Sequence, residues 1–226
     1  MCGIIGIASN KPVSMNIINS LKRLEYRGYD SAGLATLNKN LINEKKCSGR
    51  VEKLEEILFK SPAEGNLGIG HVRWATHGIP NKINAHPHSS EIVSVVHNGI
   101  IENSNELKKE LETEGLKFKS QTDTEVITLL ITKFLGNMNP LEAVFKTLTK
   151  LKGSFALGII FKDFHNMIIG ARRGSPLAVG YSKNENYLGS DSYALKSMTN
   201  KISYLDDGDL CVVKNDSVSF YDITKK

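Results

Sequence analysis

Residues 1–7 read MCGIIGI, a cysteine at the head of a short apolar run. The run from Gly3 to Ala8 is too short to cross a membrane, and it lacks a basic leader and a small-residue cleavage site, so it reads as a first β-strand. Cys2 then sits where that strand begins. With Met1 retained it is an ordinary thiol near a terminus. With Met1 removed it carries a thiol and a free α-amine on one residue, a nucleophile with its base attached.

Outward from this strand the elements alternate in type. Ile17, Ile18, Leu21 and Leu24 make one face of a helix. AGLATLN and LINEKKC read as a hairpin around Asn38-Lys39-Asn40. VEKLEEILF is a short helix, LGIGHVRW a strand, and EIVSVVHNG a strand ending at its glycine. Helices are expected at NSNELKKELETE, TDTEVITLLITKFL and PLEAVFKTLTKL. From Ser154 onward SFALGIIF, NMIIGARR, LAVGY, NYLGS, ISYL and DLCVVK are strands, with a short helix near residues 193–197. Strands bunched at both ends with helices between them argue α+β with largely antiparallel sheet. No linker or repeat divides the 226 residues, so residues 1–226 read as one domain, and 40% apolar residues suffice for its core.

Several function classes lose support on composition and spacing. The net charge of +5 comes from scattered pairs such as Lys45-Lys46 and Lys108-Lys109, a solvated surface that excludes nucleic acid as the expected partner. Cys2, Cys47 and Cys211 are far apart without a CxxC, which fits free thiols in a reducing cytoplasm. Gly68-Ile69-Gly70 lacks the third glycine of a dinucleotide loop, and GxxxxGK[ST] is absent. Five of the six histidines, His71, His77, His86, His88 and His97, cluster in sequence. No carboxylate or cysteine accompanies them at metal-ligand spacing, so anchoring hydrogen bonds are expected in preference to a metal, and no cofactor is expected. Residues 75–90, ATHGIPNKINAHPHSS, read as a long lid or binding loop.

The segments CGIIGI, LEYRGYDSAGLA, HVRWATHG, NAHPH, VVHNGIIEN, TDTEVI, GSFALG, RRGSPL and GSDSYAL together resemble, in order and spacing, the class II glutamine amidotransferases of the N-terminal nucleophile hydrolase type. Within that superfamily the arginine loop RWATHG and NAHPH are similar to the glutaminase domain of the glutamine:fructose-6-phosphate aminotransferases. The amidophosphoribosyltransferases, asparagine synthetases and glutamate synthases share the cysteine and the Asn-Gly pair, and the glutaminase domain of another such class II amidotransferase is the alternative within the superfamily. A silent glutamine-binding module and a metal protein are the alternatives outside it.

The resemblance implies a four-layer αββα sandwich of two largely antiparallel sheets. It implies that Cys2, freed of Met1, attacks the side-chain amide of L-glutamine to give a thioester and ammonia, with its own amine as base. Asn98 and Gly99 would form the oxyanion hole. Arg73 would hold the substrate carboxylate and Asp123 its ammonium. Thr76, His77 and His86 would add polar contacts, Trp74 would gate the site, and Arg27 and Gly28 would lie by the terminal amine, with Tyr26 largely packing. Thr122 with Glu125 fits a capping box, which would put Asp123 in the first helical turn. The family's sugar isomerase domains, which bind fructose 6-phosphate, are not represented in the sequence, so the chain is expected to be an excised fragment, with a free-standing glutaminase as the alternative. The resemblance implies a homo-oligomeric full-length enzyme, and no membrane partner is expected of this chain.

Overall fold

The computed structural model describes residues 2–75 and 78–222. The chain begins with β1 (Gly3–Ser9), α1 (Ser14–Leu24), the hairpin of β2 (Ser31–Asn38) and β3 (Leu41–Ser48), α2 (Val51–Lys60), β4 (Leu67–Arg73), β5 (His88–Ser89) and β6 (Val93–Ile101). Three helices follow: α3 (Ser104–Thr113), α4 (Thr124–Leu135) and α5 (Pro140–Lys150). The last third holds β7 (Gly153–Phe161), β8 (Ile168–Arg173), β9 (Ala178–Tyr181), β10 (Glu185–Gly189), α6 (Ser192–Leu195), β11 (Lys201–Tyr204), β12 (Asp209–Val213) and β13 (Val218–Asp222).

These strands form two antiparallel sheets, one of seven in the order β11-β9-β10-β1-β4-β2-β3 and one of six in the order β13-β12-β8-β7-β6-β5. Side-chain alternation sorts them into layers. On β1, Ile5 and Ile7 pack with Ile17, Leu21 and Leu54 of α1 and α2, while Ile4 and Ala8 face the second sheet. On β7, Phe155, Leu157 and Ile159 pack under α3 to α5, while Ala156 and Ile160 face the first sheet. Both faces of each sheet are thus covered, and this is why the central strands read as continuous apolar runs. The α+β sandwich of helix, sheet, sheet and helix is the expected one.

Between the sheets the packing depends on missing side chains. A Cβ at Gly6, Gly158 or Gly170 would meet Leu188 at 3.2, 3.4 and 2.8 Å, so three glycines from β1, β7 and β8 make the hole that this leucine fills. Among the described residues no helix is long and apolar enough to cross a membrane.

Several sequence expectations need correction. The strand at 93–101 does not end at Gly99 but runs through it to Ile101, because the neighbouring β7 continues the pairing from Phe155 to Gly153. A last strand at 218–222 went unread; it pairs with β12. The capping box at Thr122 does not form. Helix α4 starts at Thr124 with Asp123 at the N-cap position, Thr122 Oγ1 pairs with His88 Nε2 at 2.9 Å, and Glu125 turns back to accept from the backbone of Lys119 and Ser120. Loop 75–90 is no open lid throughout: Asn84, Ala85, His86, Pro87 and His88 are buried.

Candidate active site

Cys2 stands at the head of β1, the middle strand of the seven. Its Sγ accepts from the Trp74 N–H at 3.3 Å and lies 3.5 Å from the Trp74 carbonyl oxygen. Burial pushes the thiol pKa up, against smaller opposing effects of the Trp74 backbone and the Arg73 charge. A neutral thiol follows, which must hand its proton to a base before it can attack. Among the described residues its hydrogen-bond partners are backbone groups only.

Register brings the second sheet to the thiol. Val96 and Asn98 share the face of β6 turned to the first sheet, while Val95 and His97 face the helices. Asn98 Nδ2 donates to the Cys2 carbonyl at 3.0 Å and to Ser190 Oγ at 2.9 Å. Asn98 Oδ1 lies 3.0 Å from His71 Nε2 on β4. The next residue, Gly99, has φ +132°, and a Cβ there would stand 2.1 Å from the Ser154 carbonyl oxygen. Only glycine meets both conditions. Cys2, Asn98 and Gly99 line one cleft of about 290 Å³ with Arg27, Trp74, Ile100, Ser154, Ser175 and Pro176. A larger hollow of about 400 Å³, bordered by Lys46, His88 and Thr128, holds none of the proposed catalytic residues.

Around the cleft mouth, Arg27 donates to Asp191 Oδ2 at 2.8 Å, and the Tyr26 hydroxyl donates to the same oxygen at 2.5 Å. Asp191 Oδ1 in turn caps α6 by accepting from the Ala194 N–H. Tyr26 is therefore not core packing: it is 63% exposed and tied down by its hydroxyl. Gly28 is a close-approach residue, since a Cβ would fall 2.5 Å from the Arg73 carbonyl carbon and 2.7 Å from the Trp74 nitrogen. It lets residues 25–29 press on the backbone that contacts Cys2. Trp74 is half exposed, with its ring edge-on to Tyr29 at 5.8 Å. Asp30 and Asp191 went unread in the sequence. Asp30 Oδ2 accepts from the Ala75 N–H at 2.5 Å and its charge supports Arg73; only its place inside YRGYDSAG hinted at it.

The two charged anchors are placed differently from each other. Arg73, the last residue of β4, is 3% exposed and donates from Nη2 to the Gly78 carbonyl at a long 3.4 Å. Burial lowers its pKa while Asp30, Cys2 and Asp123 act to raise it. Asp123 Oδ2 accepts from the Ile101 N–H at 2.8 Å, and its carboxylate borders a second cleft, about 180 Å³, that meets the Cys2 cleft at Ile100. Thr76 and His77 lie outside the described residues.

His86 does not reach the cleft. Its ring stacks on His71 with centroids 4.2 Å apart, and its Nε2 pairs with Thr124 Oγ1 at 2.8 Å. His97 Nδ1 meets the same hydroxyl at 2.9 Å. Burial holds His71 near a pKa of about 3 and lowers His86 and His88 as well, so these rings are neutral at physiological pH. Among the described residues no group of three or more His, Cys, Asp or Glu side chains is arranged to hold a metal. The histidines instead join β4, the 84–88 segment, β6 and the start of α4.

A cysteine heading the central strand of one sheet, with an Asn-Gly pair of the facing sheet beside it, marks an amidotransferase-type sandwich. The same fold occurs in the glutamine phosphoribosylpyrophosphate amidotransferase of B. subtilis, with a TM-score of 0.85 at 24% identity, covering all of this chain and 50% of that one. It occurs too in a glutamine aminotransferase class-II domain protein of Silicibacter pomeroyi, with a TM-score of 0.70 at 14% identity over 99% of this chain and 100% of that one. The chain belongs to the glutamine amidotransferase domain family, whose model matches residues 72–197, more than half its length. It is similar to the glutamine–fructose-6-phosphate aminotransferases (isomerizing) of Mesorhizobium japonicum, at 51% identity over 227 residues, and Gluconobacter oxydans, at 50% over 226. It spans 37% of the length of each.

Proposed function

We propose that this chain hydrolyses the side-chain amide of L-glutamine at Cys2 and that its ammonia serves the amination of fructose 6-phosphate by a larger, homo-oligomeric cytoplasmic enzyme. One observation carries the glutaminase chemistry: no side-chain base hydrogen-bonds to Sγ among the described residues, whereas a Cys2 freed of Met1 has its own amine at hand. The amine takes the thiol proton, directly or through a water, as Sγ bonds to the amide carbon. The carbonyl oxygen, now negative, is held by the Gly99 N–H and by Asn98 Nδ2, which exchanges one of its two present acceptors, the Cys2 carbonyl or Ser190 Oγ, for it. Collapse of that intermediate breaks the C–N bond, the proton returns to the departing nitrogen as ammonia leaves, and a γ-glutamyl thioester remains. Water then adds by the same route and glutamate departs.

The substrate carboxylate takes over Arg73 Nη2 from the Gly78 carbonyl, a long contact that costs little to exchange. Asp123 keeps the Ile101 N–H on Oδ2 and offers Oδ1 to the ammonium. The role of sugar acceptor rests on the 51% and 50% identical relatives alone, since no residue here is assigned to a sugar phosphate.

The test is the purified chain, with its mass measured, incubated with glutamine and fructose 6-phosphate. Loss of one methionine and release of glutamate, without glucosamine 6-phosphate, are expected. A retained Met1 leaves Cys2 with an amide nitrogen, and turnover in that form would remove the amine from its role. Mass loss without turnover would favour a silent glutamine-binding module.

A further inference from the structure

We propose that His71 is a positioning residue that sets which end of the Asn98 side-chain amide faces Cys2. The inference rests on the glutaminase reading above, in which Asn98 supplies an oxyanion donor.

The argument is one of donors and acceptors. His71 Nε2 lies 3.0 Å from the His97 carbonyl oxygen, which can only accept, so Nε2 must carry the ring proton. With a hydrogen on Nε2, the Asn98 atom 3.0 Å away has to be the acceptor Oδ1. An amide turned the other way would set NH2 against N–H at His71 and oxygen against the carbonyl oxygen of Cys2. Two like-against-like contacts in a buried gap oppose that flip. Nδ2 is thereby kept on the side of Cys2 and Ser190, where the oxyanion would form.

Three features keep His71 able to do this. Its ring is fully buried and that burial lowers its pKa to about 3, so it gains no second proton at physiological pH, and Nδ1 makes no hydrogen bond, as the neutral Nε2–H tautomer allows. The His86 ring stacked against it restrains its plane. Its place on β4, on the face shared with Leu67 and Ile69, puts it across the gap from Asn98, so one side chain couples the two sheets at the nucleophile. Its titratable and charged neighbours are Arg73, His97 and the stacked His86; the charges of Arg73 and His97 disfavour a protonated ring, while the His97 carbonyl and the Asn98 side chain, as acceptors, act the other way and are outweighed by burial.

The test compares His71→Leu with His71→Gln, whose terminal amide can place an N–H near the Nε2 position. For His71→Leu, kcat of glutamine hydrolysis should fall about 10- to 100-fold with KM within about twofold, because the oxyanion exists only on the way to the thioester. His71→Gln should recover most of that loss. Adding His71→Leu to an Asn98→Ala background should lower kcat no further, since the path through Asn98 is already gone. A folded His71→Leu with unchanged kcat, a Gln variant no better than Leu, or a further loss in the Asn98→Ala background would each overturn the proposal. Should the Leu variant not fold, 15N spectra of the unaltered chain decide: protonated Nε2 and bare Nδ1 are expected at pH 6, and the Nδ1–H tautomer would overturn it. Hydrolysis that survives Cys2→Ala would instead overturn the glutaminase reading, and the tautomer would still be readable.

Discussion

At Gly99 a positive φ and a Cβ position 2.1 Å from the Ser154 carbonyl oxygen coincide on a residue assigned to the oxyanion hole. Gly99→Ala should therefore cost stability, by about 1–3 kcal/mol of backbone strain, as well as glutamine turnover, which urea unfolding and an ammonia assay would measure separately. Cys2→Ala makes the opposite prediction. It removes two weak Sγ contacts, with the Trp74 N–H and the Trp74 carbonyl, so unfolding should shift by less than about 1 kcal/mol while ammonia release stops and glutamine still binds. Turnover above background in that variant would take Cys2 out of its role. Asp123→Asn separates charge from hydrogen bonding: its Oδ1 can still accept from Ile101, but the substrate ammonium loses its counter-charge. Glutamine affinity should weaken by about 1.5–3 kcal/mol with a smaller change in stability; a collapse of stability at constant KM would make Asp123 structural.

At the scale of elements, the histidine cluster makes the joint between β4, the 84–88 segment, β6 and α4 sensitive to acid. His71 is neutral in the folded chain down to a pH of about 3 but titrates at its ordinary value, about 6.5, when unfolded. Between those limits the unfolded state binds more protons, so stability is full above about 6.5 and is lost as pH falls. His86 and His88 shift in the same direction. Each ring that stays neutral adds about 1.4 kcal/mol per pH unit to the slope. Urea midpoints at pH 7 and pH 5 should show a steep loss, and His71→Gln should flatten it by about one proton's worth; an unchanged slope would contradict the buried neutral ring. The clustering of these histidines was legible in the sequence. Their partners, Thr122 and Thr124, were not, because both lie some thirty residues downstream and local spacing says nothing about a hydroxyl delivered by another element.

For the whole molecule, the two sheets are held face to face by side chains that meet only when both have formed. Leu188→Ala empties the hole made by Gly6, Gly158 and Gly170 and should cost about 2–5 kcal/mol, read from thermal or urea unfolding. Gly170→Ala errs the other way, forcing a methyl to within 2.8 Å of both Leu188 and Cys211, and should cost about 1–3 kcal/mol. The proposed active-site cleft lies where the same sheet pair opens at Cys2, so these core changes are expected to lower turnover through the fraction of folded chain and not through KM.

By itself the sequence determined the kinds of element and the candidate residues for the site. Apolar runs such as GIIGIA and SFALGIIF and helical periodicity between the strand-rich ends left α+β with largely antiparallel sheet, and the stacked sandwich was what the family resemblance implied. Cys2 stood out by its place behind Met1, and Asn98, Gly99, Arg73 and Asp123 by the motifs that carry the family resemblance, because residue type and motif are local properties. Tertiary structure alone decided how they are held. It sent Glu125 to the Lys119–Ser120 turn in place of a capping box, gave Asp123 to Ile101, and turned Tyr26 from presumed packing into a surface tie on Asp191. It also aimed the Asn98 amide through His71. The physical reason is one of reach: strand and helix periods say which face a side chain occupies, but the partner it finds there is set by the register and stacking of segments far away in sequence, and a buried polar group takes whichever partner that packing brings within about 3 Å.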